Sequence, residues 1–553
     1  MVALTDIPLS IQKYHEGDTA MYYSLCAMLA QSTLNENEAL TLLNGLEQCV
    51  DILNSHCASL LTKVKGLDWH LFSDEVAEAH VKFLLALVAS NLAHLDSVIL
   101  VFIKKFLPDN VPPTATVEQY DQQHGSAQDR IYTRAHIALQ ELHEFSPMLG
   151  DRLLKMLTSS YPFLRRHTVQ IRDYNRNLLR VSEYLPYMKF ELLSLVVEEL
   201  SKLDTLYGLE SYKVTRSGKG VFDMEIDDFD ALRSKATEAE EFAQKLDCCL
   251  SDLFVYLQNK CLDSAGNVRR HDADVTYHLF RAIFQQVVLP IRGCSCVPFV
   301  WLYLCSLNKK YAYNFAEVLW SCVTDPKIIL PFKSNACCYL ASLVARAKFF
   351  STDDAVSQVS LWVKWLHRYL KNQDDVKNQH RQQHSVFYEM CQAVFYVVVF
   401  RCKEIATTKS GVRALRTLKL NRLVACTLNP LKFCEERVAT NFANVARNYQ
   451  LAFCHEIIER NRNVCRGMSK VNRESEGFFP FDAYPLKDSA RFVTELYNEY
   501  DEGNESDDGS TADVGENTND DAIEEEEERL SSSLKNRFSY HDSPGFKQRS
   551  PRK

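Results

Sequence analysis

The sequence predicts an all-α protein: a HEAT-like α-solenoid of stacked antiparallel helix pairs, followed by a disordered acidic tail. Three observations favour this fold. Apolar residues recur at spacings of three and four along most of the first 500 residues, as on the buried face of a helix. The 553 residues include only 17 glycines, and no Asn-Gly or Asp-Gly dipeptide joins two segments of alternating polarity. Some helices are apolar on two sides, which indicates packing between neighbours.

The helical spacing begins clearly at residues 35–64, where Leu40, Leu43, Leu46 and Val50 share one face. The same spacing recurs in twelve further segments. These are 81–106, 127–145, 163–181, 185–206, 238–259, 271–289, 310–322, 333–349, 353–371, 386–405, 431–446 and 449–462. Helices in series with short connections favour stacked antiparallel pairs.

Segment 353–371 is the clearest example of a helix that is apolar on two sides. Its first stripe consists of Val356, Val359, Val363, Leu366 and Leu370. Trp362, Trp365 and Tyr369 form the second stripe, so this helix is predicted to lie between two neighbours. An irregular helical bundle remains the alternative architecture, because the sequence shows no sharp repeat period.

The predicted domains are a solenoid over residues 1–500 and a tail over residues 501–553. Within the solenoid, residues 207–232 contain three glycines and a run of acids, which indicates an acidic mobile loop between helices. The tail holds 15 acidic and 7 basic residues, a net charge of −8 out of −9 for the whole chain. Such a composition, with a basic end, is typical of disorder.

The sequence contains no local pattern for catalysis, metal binding or a cofactor. Residues 217–222 have two glycines but lack the strand and helix of a phosphate-binding loop. Cys294 and Cys296 lack the second cysteine pair of a zinc site. We therefore expect no cofactor and no enzymatic activity, although a catalytic site assembled from distant residues is the rival hypothesis.

The chain shows no signal peptide, and its longest apolar run, 393–400, is far shorter than the roughly 20 residues of a membrane helix. We expect no membrane contact. The 18 cysteines are then interpreted as reduced thiols in a cytosolic or nuclear protein.

Two basic clusters are candidate partner-binding surfaces. Arg165, Arg172, Arg176 and Arg180 are predicted to share one helix face, where an acidic or phosphorylated partner could bind. An ordinary solvated face is the alternative for this cluster.

The second cluster lies in residues 411–423, where Arg413, Arg416 and Lys419 repeat every three positions. This stripe is suited to an acidic protein or to a weak contact with the phosphates of DNA. An ordinary solvated face is again an alternative of at least equal weight.

Several stretches of the second half resemble one family. They are "LVARAKFF" (343–350), "WVKWLHRYLKNQD" (362–374), "FYEMCQAVFYVVVFR" (387–401), "LNPLKFC" (428–434), "YQLAFCHEIIERNRN" (449–463) and "FFPFDAYPLKDSARF" (478–492). Their order and spacing resemble the growth-regulated transcription initiation factor IA family, which serves RNA polymerase I. The likeness is dense over 290–500, looser over 150–290 and weak before residue 130.

The resemblance implies a nuclear and nucleolar protein that is not an enzyme. It implies that the protein binds RNA polymerase I, bridges it to the promoter-bound selectivity (core) factor at ribosomal RNA genes, and is regulated by protein kinases. The family motif that contains "ARAK" is implicated in contact with the promoter factor. Its residues here are Leu343, Ala345, Arg346, Ala347 and Lys348, with Val344 at the first position of a Leu-Ala-Arg-Ala-Lys alignment.

A helical wheel places Arg346 opposite the apolar face of segment 333–349, so we expect Arg346 to reach solvent and a partner. Lys348 is expected to have a mainly structural role at the helix end. The stretch "FFPFDAYPL" is expected to cover the apolar end of the last repeat.

Four serines of the tail are candidate phosphorylation sites. Ser543 and Ser550 precede proline, and Ser506 and Ser510 precede acidic residues. The rival function is a helical-repeat scaffold or nuclear-transport adaptor that binds peptide cargo, although the expected acidic or Asn-lined groove is not evident.

Overall fold

The computed structural model describes residues 6–31, 34–145, 149–218, 226–372, 383–465 and 478–500. Helices dominate these residues and no strand forms among them; two isolated β-bridges pair Leu262 with Val268 and Ala347 with Tyr497. The all-α prediction is therefore confirmed. The chain divides into two compact units, Met1–Val196 and Val197–Lys553, and the boundary falls within one helix.

The first unit consists of helices that pack against near neighbours in the sequence. They are α1 (Ile7–Glu16), α2 (Ala20–Gln31), α3 (Glu36–Glu47), α4 (Ala58–Lys65), α5 (Asp74–Ser90), α6 (Leu95–Ile103), α7 (Val117–Phe145), α8 (Gly150–Ser159), α9 (Thr168–Tyr184) and the start of α10 (Lys189–Gly218). The start of α3 shows why helices form where they do. The Asn35 side chain accepts from the Glu38 N–H, while Glu38 accepts from the Asn35 N–H, so both exposed donors are satisfied.

The second unit contains the longest apolar helices. They are α11 (Ile226–Cys261), α12 (Arg270–Ile283), α13 (Phe299–Leu307), α14 (Lys309–Thr324), α15 (Leu330–Arg346), α16 (Thr352–Lys371), α17 (Ser385–Ala406), α18 (Lys409–Thr417), α19 (Leu420–Val424), α20 (Glu436–Asn448) and α21 (His455–Cys465). From α11 to α18 each helix contacts the next, as stacked pairs require. The continuous solenoid over 1–500 stays a prediction.

Helix α17 forms the centre of the second unit. It packs against α15, α16, α18 and α20, and its residues 393–399 are all buried. By length and composition alone it could cross a membrane, and it is the one helix among the described residues that could. Its burial among four helices on several sides instead fits the core of a folded unit, because a lipid-facing helix would leave an apolar face uncovered.

Helix α16 confirms most of the prediction of two apolar stripes. Val359, Val363 and Leu366 are buried on one side. On the other side Trp362 is fully buried, while Trp365 is half-buried and lies 6.1 Å from the Trp320 ring. The helix begins with a capping box between Ser351 and Asp354.

Helices occupy most of the segment 207–232, which the sequence predicts to be a loop. Helix α10 continues to Gly218 and α11 begins at Ile226, so only residues 219–225 lie outside the described residues. The prediction was wrong at both ends. Glycine costs only about 1 kcal/mol in a helix interior, and this cost does not stop a helix whose flanking turns are favourable.

Two buried histidines make the stability of the first unit depend on pH. Burial lowers the pKa of His80 to about 4 and that of His136 to about 3. The Nε2 atom of His80 donates to the Val64 carbonyl at 3.0 Å. His136 lies between Asn177 Oδ1 at 3.0 Å and the Tyr184 hydroxyl at 2.9 Å. Both rings are therefore neutral in the folded state at pH 7.

We expect the first unit to lose stability as the pH falls below about 6.5, the ordinary histidine pKa, toward 4. The unfolded chain binds more protons than the folded chain in this window, so acid favours unfolding, by about 2 kcal/mol per histidine near pH 4.5. The His136→Gln variant should show a flatter pH dependence of the urea midpoint. The exposed His124, changed to glutamine, should not alter it, and an unchanged slope in His136→Gln would contradict the assignment.

Candidate partner-binding surfaces

Residues 478–500, which we term the strap, pack across helices α11, α13, α15 and α17 of the second unit. Phe481 is fully buried and lies 5.6 Å from the Phe299 ring and 6.1 Å from the Tyr339 ring. Phe492 stacks on Phe254 of α11 at 5.1 Å. The stretch "FFPFDAYPL" therefore does not cover the end of the last repeat, as expected from sequence. It packs instead on helices that come earlier in the chain, from α13, where Phe299 precedes Phe481 by 182 residues, to α17, where Tyr396 precedes Phe479 by 83 residues.

The strap buries Arg346, which ends α15. The guanidinium is 1% exposed, and it donates to Asp482 Oδ1 of the strap at 2.6 Å and to the Tyr396 hydroxyl at 2.9 Å. Burial alone would lower the pKa of Arg346, but Tyr396 and Asp482 raise it. The Phe400 ring lies 5.1 Å from the guanidinium carbon. Arg346 is thus a charged residue inside the core.

Backbone hydrogen bonds fix the strap to the residues that follow α15. The Lys348 N–H donates to the Leu496 carbonyl at 3.0 Å, and the Asn498 N–H donates to the Arg346 carbonyl at 2.8 Å. From the opposite side, buried Arg401 of α17 donates to the carbonyls of Ala345 and Ala347 at 2.9 and 2.8 Å. The end of α15 is therefore held between α17 and the strap.

This arrangement corrects the sequence-based assignment of the "ARAK" residues. Leu343, Ala345, Arg346 and Ala347 are buried, and only the Lys348 side chain is exposed. The helical wheel placed Arg346 away from the α15 apolar face, but the strap covers that side too. Lys348 lies 4.0 Å from Glu495 with a side chain that is 43% exposed, so Lys348 and not Arg346 presents its charge to solvent.

A carboxylate on α11 holds the middle of the strap. Asp247 Oδ2 accepts from the N–H groups of Lys487 and Asp488, both at 2.8 Å. Its Oδ1 accepts from the N–H of Ser489 at 2.8 Å and from the Ser489 hydroxyl. Four donors on one buried carboxylate make a specific attachment point, since each such charge-assisted hydrogen bond is stronger than a neutral one.

A second buried carboxylate organises the turn that contains Cys294 and Cys296. Asp204 accepts from the N–H groups of Ser295, Cys296 and Val297 and from the Ser295 hydroxyl, at 2.8–2.9 Å. Burial raises the pKa of both thiols. Among the residues that the structure covers, no group of three candidate metal ligands forms here or elsewhere. Neither Asp204 nor Asp247 was predicted from the sequence. Each is an acidic residue on the apolar face of a helix, and this unusual position could have indicated a buried carboxylate.

Only some of the arginines in the basic face predicted around α9 are exposed. Arg172 is buried and forms a bidentate pair with Asp121, with both distances 2.7 Å, and a further bond to Asp173. The prediction that Arg172 faces a partner was therefore wrong, because its acids come from α7 and the adjacent position instead of i±4. Arg165 and Arg176 are exposed, and half-exposed Arg180 lies 3.9 Å from Asp129.

The basic stripe in 411–423 does lie at the surface. Arg413, Arg416 and Lys419 are exposed on α18 and the turn that follows it, and Arg422 of α19 is exposed beside them. We term these four cations, together with Phe453, the basic platform. Phe453 is 85% exposed, and its N–H donates to Asn421 Oδ1 at 3.4 Å. Arg416 donates to the Tyr449 carbonyl at 3.3 Å, which holds the loop of Phe453 beside α18.

The four candidate phosphorylation sites, Ser506, Ser510, Ser543 and Ser550, and the rest of the predicted tail lie outside the described residues. Their assignment stays a prediction.

Comparison with known proteins identifies the family. The model of the family described as "RNA polymerase I specific transcription initiation factor RRN3" matches residues 2–233 and 219–505. The chain is 30% identical to the mouse RNA polymerase I-specific transcription initiation factor RRN3, over 89% of this chain and 80% of the mouse protein. It is 23% identical to the fission yeast factor rrn3, over 88% of this chain and 84% of that protein.

The fold is also similar to a solved structure. The crystal structure of RNA polymerase I transcription initiation factor Rrn3 superposes with a TM-score of 0.69 at 19% identity, over 90% of this chain and 98% of that one. A family match along both units, with a relative 30% identical over most of its length, shows that this chain belongs to the RRN3 family of RNA polymerase I-specific transcription initiation factors.

Proposed function

We propose that this protein binds RNA polymerase I and bridges it to the promoter-bound selectivity (core) factor at ribosomal RNA genes. The observation that carries the proposal is the family match along residues 2–505. We propose further that the protein acts without catalysis in the nucleus and nucleolus, and that protein kinases regulate it through the tail. A weak DNA contact through residues 411–423 belongs to the same proposal.

A pull-down from nuclear extract tests the central proposal. The tagged full-length chain should retain the RNA polymerase I subunits, identified by mass spectrometry, and not those of RNA polymerases II and III. Treatment of the chain with phosphatase before the pull-down should change the yield of polymerase. Retention of transport receptors or cargo without polymerase would favour the scaffold or adaptor function instead.

Within the bridge, we assign the contact with the promoter factor to the surface around Lys348. Four residues of the motif support this surface from inside the core, and Lys348 presents the exposed charge next to the strap. A buried arginine cannot bind a partner directly, but it fixes the strap and hence the shape of the surface.

The Lys348→Glu variant is expected to bind the promoter factor about tenfold more weakly, because a reversed charge at an interface repels the acid that it formerly met. Binding is measured with the purified promoter factor on a biosensor. The control is Lys327→Glu, another exposed lysine of the second unit. Equal affinity of Lys348→Glu and wild type, with normal thermal unfolding, would contradict the assignment.

A further inference from the structure

The basic platform carries more positive charge than the described part of the chain neutralises. Residues 405–434 contain six lysines and arginines and no acidic residue. No acidic side chain among the described residues lies within ion-pair distance of Arg413, Arg416, Lys419 or Arg422. Cations that are held close together without acids repel one another, so an acidic ligand would be bound favourably at this surface.

The backbone around the platform contains two left-handed residues and one close approach between helices. Lys419 and Gln450 both adopt left-handed conformations, with φ of 52° and 54°, which few non-glycine residues do. A Cβ atom at Gly411 would collide with the Ile405 carbonyl oxygen, so α18 can lie tightly against the end of α17. The bonds from Arg416 to the Tyr449 carbonyl and from the Phe453 N–H to Asn421 hold the Phe453 loop beside α18 and α19, and the Phe453 side chain is exposed. An exposed aromatic ring next to arginines is a common anchor of binding surfaces.

The strongest complement to this platform is in the same chain. Residues 501–528 contain 14 acidic residues and no lysine or arginine. The run Glu524–Glu528 follows Ile523, which offers an apolar contact for an exposed ring. The charge of this segment is opposite in sign to that of the platform.

Residues 501–528 follow Tyr500, the last described residue, which lies near the helix that leads to the platform. Tyr500 lies 5.6 Å from the Phe400 ring of α17. From Phe400 the helix runs about 9 Å to its end at Ala406, and α18 begins three residues later. A flexible chain of 23 residues, the number between Tyr500 and Glu524, would have a root-mean-square span of about 27 Å, which is sufficient to reach the platform.

We propose that residues 501–528 dock on the basic platform of the same molecule, so that the tail covers this surface until a competing ligand displaces it. Tethering supports the tail over DNA as the resident ligand, because a short flexible tether gives an effective concentration in the millimolar range. DNA or an acidic partner must therefore compete with a ligand that is always present. The inference goes beyond the proposed function, since it concerns an intramolecular contact.

Zero-length carbodiimide cross-linking of the full-length protein tests the contact, because it joins lysine amines to carboxylates that touch. We expect cross-links from Lys409 and Lys419 to Glu524–Glu528 at 50 mM salt, and their loss at 500 mM salt, where charges are screened. A triple variant, Arg413→Glu, Arg416→Glu and Arg422→Glu, retains both lysines and should reduce these cross-links at least tenfold. The matched control, Arg270→Glu, Lys310→Glu and Lys327→Glu, changes the net charge equally on α12, α14 and the loop after α14 and should leave them unchanged.

Binding of a fluorescent 20-base-pair duplex distinguishes the tail from DNA as the occupant. Changing Glu524–Glu528 to glutamine in the full-length chain should tighten duplex binding at least tenfold, and adding the three arginine reversals should abolish that gain. Equal duplex binding with and without the five acids would overturn the proposal and leave the platform as an open DNA site. Cross-links that persist in the arginine variant, or that form equally at Lys310 and Lys327, would overturn it as well.

Discussion

Replacing Arg346 with alanine is expected to destabilise the second unit by about 3–5 kcal/mol, the usual cost of removing one partner of a buried ion pair. Asp482 would be left buried without its cation, and the Tyr396 hydroxyl would lose its donor. Burial raises the pKa of Tyr396 to about 12, so this hydroxyl stays neutral at pH 7 and the charge of Asp482 is left without a counter-ion. The expected result is a protein that unfolds at lower denaturant concentration, not a folded protein with a weakened partner contact.

The measurement is a urea titration that follows the second unit, combined with hydrogen exchange of the strap amides. The Lys348→Ala variant is the control, and it should cost less than about 1 kcal/mol because its ion pair is exposed. The double variant Arg346→Met, Asp482→Leu should recover much of the loss, since an apolar pair leaves no buried charge unpaired. A midpoint of Arg346→Ala equal to that of Lys348→Ala would contradict the buried pair.

The positions of the helices could be predicted from sequence because periodicity is a local property. The burial of Arg346 could not be predicted, because its partner Asp482 is 136 residues away along the chain. A helical wheel reports which side of α15 is apolar, but it cannot report that a later segment covers the other side. The buried run from Ser334 to Arg346 shows that α15 has no solvent-exposed face in its second half.

The same limit applies to Arg172, although here the sequence held a clue. Asp173 is adjacent, and an arginine next to an acid on a helix with several apolar neighbours is a candidate for a buried pair. The second acid, Asp121, comes from α7 and could not be inferred from spacing. The exposed cations were easier to predict: Arg413 and Arg416 lie on the polar face of the short amphipathic helix α18. Lys419 is also exposed, but it lies in the left-handed turn after that helix.

Buried carboxylates attach the strap to the second unit at two separate points. Asp482 meets Arg346, and the N–H groups of 487–489 meet Asp247, so two separate carboxylates attach the same 23-residue segment to the helices. The surface around Lys348 is formed by both α15 and the strap. Its shape therefore depends on attachments that are themselves buried.

Replacing Asp247 with alanine is expected to release the middle of the strap. Its carboxylate accepts four hydrogen bonds from Lys487, Asp488 and Ser489, and a hydrogen bond to a charged group contributes about 1.5–3 kcal/mol. These contributions are not additive, and water can reach part of the site once the strap detaches. We therefore expect the free energy that holds the strap on the helices to fall by about 3–4 kcal/mol. Hydrogen exchange of the strap amides should then accelerate by roughly 10²–10³-fold, while amides of α17 exchange as in wild type.

Two comparisons make this result specific. Glu317→Ala removes an exposed carboxylate from α14 and should leave the exchange of the strap unchanged. Asp247→Asn keeps the size of the side chain but turns one acceptor oxygen into an N–H donor that faces the backbone donors, so it should release the strap nearly as fully as alanine does. Because the released strap no longer supports the surface around Lys348, both Asp247 variants should also bind the promoter factor more weakly. Strap amides that stay as protected in Asp247→Ala as in wild type would show that Phe481 and Asp482 hold the segment by themselves.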